Sequence, residues 1–293
     1  MSLVENQVIS NQLQNTVVGK TIVKTIVNQN PHAFVWFATE PQYAFAAKEI
    51  SYKQAEQYDG LLTGKKILKS NVLSNYNYLY VGNRALMFNT LSTRYYGAND
   101  KQPKRHQLYL LLDDGSVLAL CGSLGGPLFL FEVDEDGWAI NYRNNFPSVL
   151  SDDFTETFFL DLIKNTDLTK LKPAKSVKCF LATKGRIPGL DNVILHEILW
   201  EAQVNPKSVM AALRQNEYKR LYAAIKKVFP TVINIGGLDT QKDIYGNFGG
   251  YVTKASRNTL DKPCKRCGEL IVKEAYMGGV IYYCPKCQPF IKN

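Results

Sequence analysis

Helical periodicity appears first and only briefly. Between Glu5 and Asn15, the residues Val8, Ile9, Gln12 and Leu13 recur at roughly helical spacing, and Val18-Gly19-Lys20 closes the stretch. From there to about residue 145 the apolar positions follow the period of strands. Ile22 to Val27 alternates, Tyr76 to Val81 is aromatic and branched, and Leu128 to Val133 is a further apolar run. Leu108 to Leu112 and Val117 to Leu120 flank Asp113-Asp114-Gly115, which predicts a hairpin. Short strands separated by turn signals predict a sandwich or barrel rather than a parallel α/β sheet.

The period changes near residue 147. Pro147 and Ser148 lead into Ser151-Asp152-Asp153-Phe154-Thr155-Glu156, where Asp153 and Glu156 stand three apart as in a capping box. Phe154, Phe158, Phe159 and Leu162 share one helical face. Further helices are predicted over 174–183, over 192–203 with a stop at Asn205-Pro206, over 208–213 and over 217–228. After Gly236-Gly237 the chain turns irregular and Gly-rich. The expected organisation is an α+β chain of three parts: an N-terminal helix with a β-sandwich over 1–146, a helical domain over 147–240, and a metal-binding ribbon over 241–293.

The ribbon rests on cysteine spacing. Cys264-Lys265-Arg266-Cys267 and Cys284-Pro285-Lys286-Cys287 are two C-x-x-C pairs separated by sixteen residues. Two such knuckles supply the four thiolates that one structural, tetrahedral Zn²⁺ requires. The remaining cysteines, Cys121 and Cys179, lie far apart in apolar surroundings and read as buried free thiols. His32, His106 and His196 have no ligand spacing; a packing role is expected for His196.

Charge narrows the partner. Thirty-five Lys and Arg against 26 Asp and Glu leave a net +9, compatible with a polyanionic partner. Lys170, Lys172, Lys175, Lys178, Lys184 and Arg186 form a basic run. No secretory leader opens the chain and no apolar run approaches the eighteen residues of a membrane span, so a soluble protein of the reducing cytoplasm is expected.

Several motifs together resemble the formamidopyrimidine-DNA glycosylase/endonuclease VIII family. The stretch from Lys184 to Val193, with Gly189-Leu190-Asp191-Asn192 at its centre, followed by Glu197-Ile198-Leu199 and Val204-Asn205-Pro206, is similar to the family's helix-two-turn-helix signature. Leu150 to Phe154 resembles the entry to that domain, Gly246 to Tyr251 and Pro263 to Gly268 the approach to its zinc finger, and Tyr282 to Gln288 its close. The resemblance implies a monomeric DNA-repair enzyme acting on damaged or abasic duplex DNA. It implies that Asn192 holds the phosphodiester at the lesion beside Gly189, with Lys184, Arg186, Lys265 and Arg266 on the DNA and Leu91 as an apolar wedge in the vacated stack. In the family an N-terminal proline amine attacks the sugar, forms a Schiff base, expels the base and cleaves the strand by β-elimination, with a glutamate next to it.

The chain departs from that pattern. It begins Met1-Ser2-Leu3-Val4-Glu5, with no proline. One expectation is that the first three residues extend a natural start at Val4, so that Val4 supplies the nucleophilic amine, Glu5 the proton shuttle, and the extension blocks the activity. The alternative is a homologue that binds damaged DNA without catalysis. The family's β-domain lysine appears as Asn77, and its Met-Ser wedge as Leu91-Ser92. The loop Cys121 to Gly126 lacks the expected arginine and phenylalanine, leaving Leu124 as a second wedge candidate, and the finger arginine is replaced by Gly279.

Overall fold

The computed structural model describes residues 3–27, 37–38, 57–73, 76–89, 92–120, 128–133, 146–183 and 185–292. The chain divides into two units, one built from 3–145 with 242–247 and the other from 146–241 with 248–293. The ribbon expected as a separate third part lies in the same unit as the helices.

The first unit opens with helix α1 (Leu3–Thr16), whose exit is turned by Gly19 at φ 92°. Strands β1 (Ile22–Val27) and β2 (Phe37–Ala38) follow, then helix α2 (Gln57–Leu62) and strands β3 (Ile67–Leu73), β4 (Tyr76–Val81), β5 (Arg84–Phe88), β6 (Thr93–Tyr96), β7 (Leu108–Leu112), β8 (Val117–Leu120) and β9 (Leu128–Glu132). They form a four-stranded sheet ordered β1-β7-β8-β6 and a five-stranded sheet ordered β2-β9-β5-β4-β3. The predicted hairpin is present: β7 and β8 pair antiparallel, Leu108 opposite Leu120, across a turn that Gly115 makes at φ 80°.

Both sheets empty their apolar side chains into one core. Ile22, Leu108, Leu110, Leu112, Leu118 and Leu120 come from the first, and Ile67, Leu79, Val81, Leu86, Phe88, Leu128 and Leu130 from the second. Ile9 and Leu13 of α1 and Tyr58 and Leu62 of α2 close it. The strand alternation at Leu108, Leu110 and Leu112 is therefore the sandwich core seen from one strand.

Sequence periodicity gave no hint that residues 242–247 return to this unit. Gln12 acts as a backbone surrogate: its Nε2 donates to Asp243 Oδ2 at 2.9 Å and its Oε1 accepts from the Ile244 amide at 3.2 Å. Arg94 donates to the Asp243 carbonyl, Tyr95 N to the Ile244 carbonyl, and Ile244 is fully buried in the core.

The second unit contains α3 (Glu156–Lys164), α4 (Val177–Ala182), α5 (Asn192–Ala202) and α6 (Gln215–Asn234), then the hairpin β10 (Val272–Tyr276) and β11 (Gly279–Tyr283). Helix α3 is capped by Thr155, whose Oγ1 accepts from the Phe158 amide, so the Asp153–Glu156 spacing was not its cap. Phe154 is wholly buried against Phe146, Phe158, Phe159 and Tyr222. Helix α4 begins only at Val177, where Ser176 caps it, and the helix expected over 208–213 is a single 3₁₀ turn, Met210–Ala212. Helix α6 runs six residues past the expected end at Val228 and contains Pro230, because Phe229 and Val232 continue the buried stripe of Leu221, Ile225 and Val228.

Candidate nucleic-acid interface and metal centre

The four ribbon cysteines converge. Their sulfurs all lie within 4.8 Å of one another, with Cys267 to Cys284 at 3.4 Å and Cys264 to Cys287 at 4.0 Å. A tetrahedral ion with about 2.3 Å metal–sulfur bonds needs its sulfurs roughly 3.8 Å apart, so the residues fit a tetrathiolate metal centre. Gly268, at φ 77°, turns the first knuckle so that its amide reaches the Cys264 carbonyl at 2.9 Å. Trp200 Nε1 donates to Cys264 Sγ at 3.4 Å, the kind of outer donor that orients a thiolate ligand. The second knuckle is tied down by fully buried Gln288, which accepts from the Cys284 amide and donates to the Val204 carbonyl, each at 2.9 Å.

Helix α5 starts at the expected asparagine. Asn192 is its first residue and is exposed; Gly189, before it, has φ 81° and is buried. Two of the amides at this helix start are, however, already used. Asp191 caps α5, its Oδ1 accepting from Val193 N at 3.0 Å and Ile194 N at 3.2 Å. Across from Asn192, the hairpin turn at Met277 and Gly278 (φ 54° and 72°) brings Gly279 close, so that a Cβ built on Gly279 would stand 3.8 Å from both Asn192 Nδ2 and Lys178 Nζ.

Lys178, which the sequence showed only as one of a basic run, is 2% exposed. Its ammonium donates to the Tyr276 carbonyl at 3.2 Å, and burial pulls its pKa below the usual lysine value. His196, on α5, is buried against Tyr282 as the packing residue expected. Burial first, and then the charge of Lys178, lower its pKa to about 3, which keeps it neutral.

Two expected DNA-binding cations are otherwise engaged. Arg186 folds onto the C-terminal end of α4, donating to the Cys179 and Thr183 carbonyls at 3.2 Å each, with its guanidinium over Phe180. Arg266 stacks on Trp200 with 4.0 Å to the ring centroid and donates to the Trp200 carbonyl at 2.8 Å. Its neighbour Lys265 is exposed. Lys184, Leu91, Leu124 and Cys121 lie outside the described residues. Cys179 is a buried free thiol.

Glu197 organises the approach to the ribbon. Only 1% exposed, its carboxylate accepts from the Lys254 amide at 3.0 Å on each oxygen and from the Ala255 amide at 3.0 Å. Burial raises its pKa against the pull of these amides.

In the first unit, Val4 and Glu5 sit in the first turn of α1, Val4 fully buried and Glu5 8% exposed. Asn6 follows, and its Oδ1 accepts from Asn77 Nδ2 on β4 at 2.7 Å. Among the described residues, no helix is long and apolar enough to cross a membrane.

Comparison with known proteins bears on this geometry. A family model described as the formamidopyrimidine-DNA glycosylase H2TH domain matches residues 147–243. Formamidopyrimidine-DNA glycosylase of Prochlorococcus marinus (strain NATL1A) is 32% identical over 147 residues, 48% of this chain and 49% of that protein. The chain thus matches about half the length of such relatives. The Mycobacteroides abscessus protein of the same name is 24% identical over 99% of this chain and 98% of its own length. Among solved structures, Lactococcus lactis Fpg in complex with abasic-site DNA has a TM-score of 0.78 at 20% identity, covering 99% of this chain and 100% of that one. MutM (Fpg) of Thermus thermophilus has a TM-score of 0.73 at 18% identity, covering 100% of both chains.

Proposed function

We propose that this chain belongs to the formamidopyrimidine-DNA glycosylase/endonuclease VIII family and is a DNA-repair glycosylase with abasic-site lyase activity on damaged duplex DNA. One observation carries the reading. Within the family-matched segment, a helix begins on an exposed Asn192, and a hairpin of a four-cysteine metal centre stands beside it. Asn192 then holds a phosphodiester at the lesion. The four thiols hold one structural Zn²⁺, which supplies rigidity and no chemistry. Lys265, exposed on the first knuckle, adds screened attraction to the backbone.

Catalysis is assigned to Val4 and Glu5. An α-amine has a pKa of about 7.7–8.0, so an amine freed at Val4 is substantially unprotonated near neutral pH. It attacks the sugar C1′, the base departs, and the resulting Schiff base permits β-elimination of the strand. Glu5, in the same helical turn, moves the protons. Incubation of a Val4-start chain with an abasic-site duplex tests this by strand cleavage.

A second reading has its own observation. Val4 is fully buried and its nitrogen belongs to the Leu3 peptide inside α1, so the chain as it stands has no free amine at that place. A non-catalytic damaged-DNA-binding homologue would bind the same duplex without cleaving it.

A further inference from the structure

Two strands of the first unit carry the same local irregularity. In β1 the pairing with β7 shifts between Ile22 and Lys24, and in β3 the pairing with β4 shifts between Ile67 and Lys69. Each shift is a β-bulge, which re-aims a side chain out of the regular alternation. Ile22-Val23-Lys24-Thr25 and Ile67-Leu68-Lys69-Ser70 therefore share one pattern: the flanking residues are buried and the middle pair is exposed. Val23 is 47% exposed and Leu68 52%. The strands meet at an antiparallel bridge between Thr21 and Lys66, where Ile22 N donates to the Lys65 carbonyl at 3.0 Å and Ile67 N to the Lys20 carbonyl at 2.9 Å. Val23 and Leu68 lie two residues from that bridge in opposite directions along the ladder. At about 3.3 Å per residue this sets them roughly 13 Å apart, with Lys66 between them.

Lys24, Lys65, Lys66 and Lys69 are exposed around these two aliphatic side chains. Among the described residues, none of the four forms an ion pair. The carboxylates of the adjoining turns are already engaged. Asp113 accepts from the Thr21 amide at 3.0 Å, Asp114 lies 2.7 Å from Lys20, and Asp59 accepts from the Thr63 hydroxyl at 2.7 Å. Apolar anchors inside an uncompensated cationic rim have the anatomy of a protein-binding patch. A phosphate backbone would satisfy the lysines and leave Val23 and Leu68 in water. A second copy of a chain with net charge +9 would set like charge against like. We propose that this face of the first unit docks an acidic protein segment in extended conformation. Two of its aliphatic side chains, about 13 Å apart, seat on Val23 and Leu68, and a carboxylate between them pairs with Lys66. The interaction goes beyond DNA recognition and does not depend on it.

The test is fluorescence anisotropy of the full chain with the labelled peptide Asp-Asp-Leu-Ser-Glu-Ser-Leu-Asp-Asp, whose two leucines and central glutamate share one face when extended. The wild-type chain is expected to bind it. Val23→Ser combined with Leu68→Ser, and separately Lys66→Glu, should each weaken that binding about tenfold, as should replacing both peptide leucines by serine. Binding of either variant to an abasic-site duplex should match that of the wild-type chain. A wild-type chain that ignores the peptide overturns the proposal, as do variants that bind it unchanged. Equal binding of the serine peptide overturns it too, because charge alone would then explain the contact. A Lys66→Glu chain that loses duplex binding and keeps peptide binding assigns the face to nucleic acid instead. If the double serine variant does not fold, Lys66→Glu and the serine peptide decide.

Discussion

Asn77 on β4 donates a 2.7 Å hydrogen bond to the side chain of Asn6 in α1, and both residues are wholly buried. The family resemblance places a lysine at this position, and the structure shows why an amide stands there: the site lies inside the unit, where an ammonium would be stripped of water. Asn77→Ala should destabilise the protein by about 1–3 kcal/mol, a fall in melting temperature of roughly 2–10 °C. Asn77→Lys should cost more. Thermal unfolding of the two variants checks both, and a stabilising Asn77→Lys would show the site to be open to solvent.

The turn of the β7–β8 hairpin carries a pH dependence. Lys20 Nζ lies 2.7 Å from Asp114 Oδ2, and the hydrogen bond from Lys20, followed by that from Ser116, lowers Asp114 from 3.8 to about 2. A depressed carboxylate stabilises the fold above its unfolded pKa, and that contribution disappears as pH falls through the folded value. Stability should therefore decline between about pH 4 and pH 2, and Asp114→Asn should flatten part of that decline in denaturant titrations. With Asp114 45% exposed, solvent screens the effect, and a modest change is expected.

Glu197 joins α5 to residues 254 and 255 through three hydrogen bonds from backbone amides. Glu197→Gln would turn an amide group toward those donors, and roughly 2–3 kcal/mol should be lost. Hydrogen exchange should show the Lys254 and Ala255 amides losing protection before the helices do. Equal protection in the variant would mean that the loop is held by other contacts.

Arg266 separates stability from binding. Stacked on Trp200 and bonded to its carbonyl, it is expected to support the ribbon: Arg266→Ala should lower the melting temperature and leave the salt slope of DNA binding unchanged. Lys265→Ala should do the reverse. The opposite pattern would return Arg266 to the DNA surface.

These residues also show how far the sequence was legible. The sandwich was visible because strands such as Leu108–Leu112 alternate and Asp113-Asp114-Gly115 marks the turn between two of them. The metal centre was visible because C-x-x-C spacing is local geometry. What escaped depends on side-chain direction or on contacts distant in sequence. Arg186 and Arg266 looked like free cations because their partners, carbonyls and aromatic faces, leave no trace in charge patterning. Lys178 was one of six basic residues until burial singled it out. The return of 242–247 to the first unit depends on Gln12, a polar residue that periodicity treats as an interruption. Helix α6 continues past the expected end at Val228 because Phe229 and Val232 extend its buried stripe.

The central claim, that the amine at Val4 with Glu5 beside it is the catalytic nucleophile, is tested most directly by borohydride trapping on an abasic-site duplex. A chain beginning at Val4 should give a covalent protein–DNA adduct, lost on Glu5→Gln or reduced at least tenfold, and the chain beginning at Met1 should give none through that amine. A Val4-start chain that binds the duplex yet yields no adduct would contradict the account and leave a protein that recognises damaged DNA without cutting it.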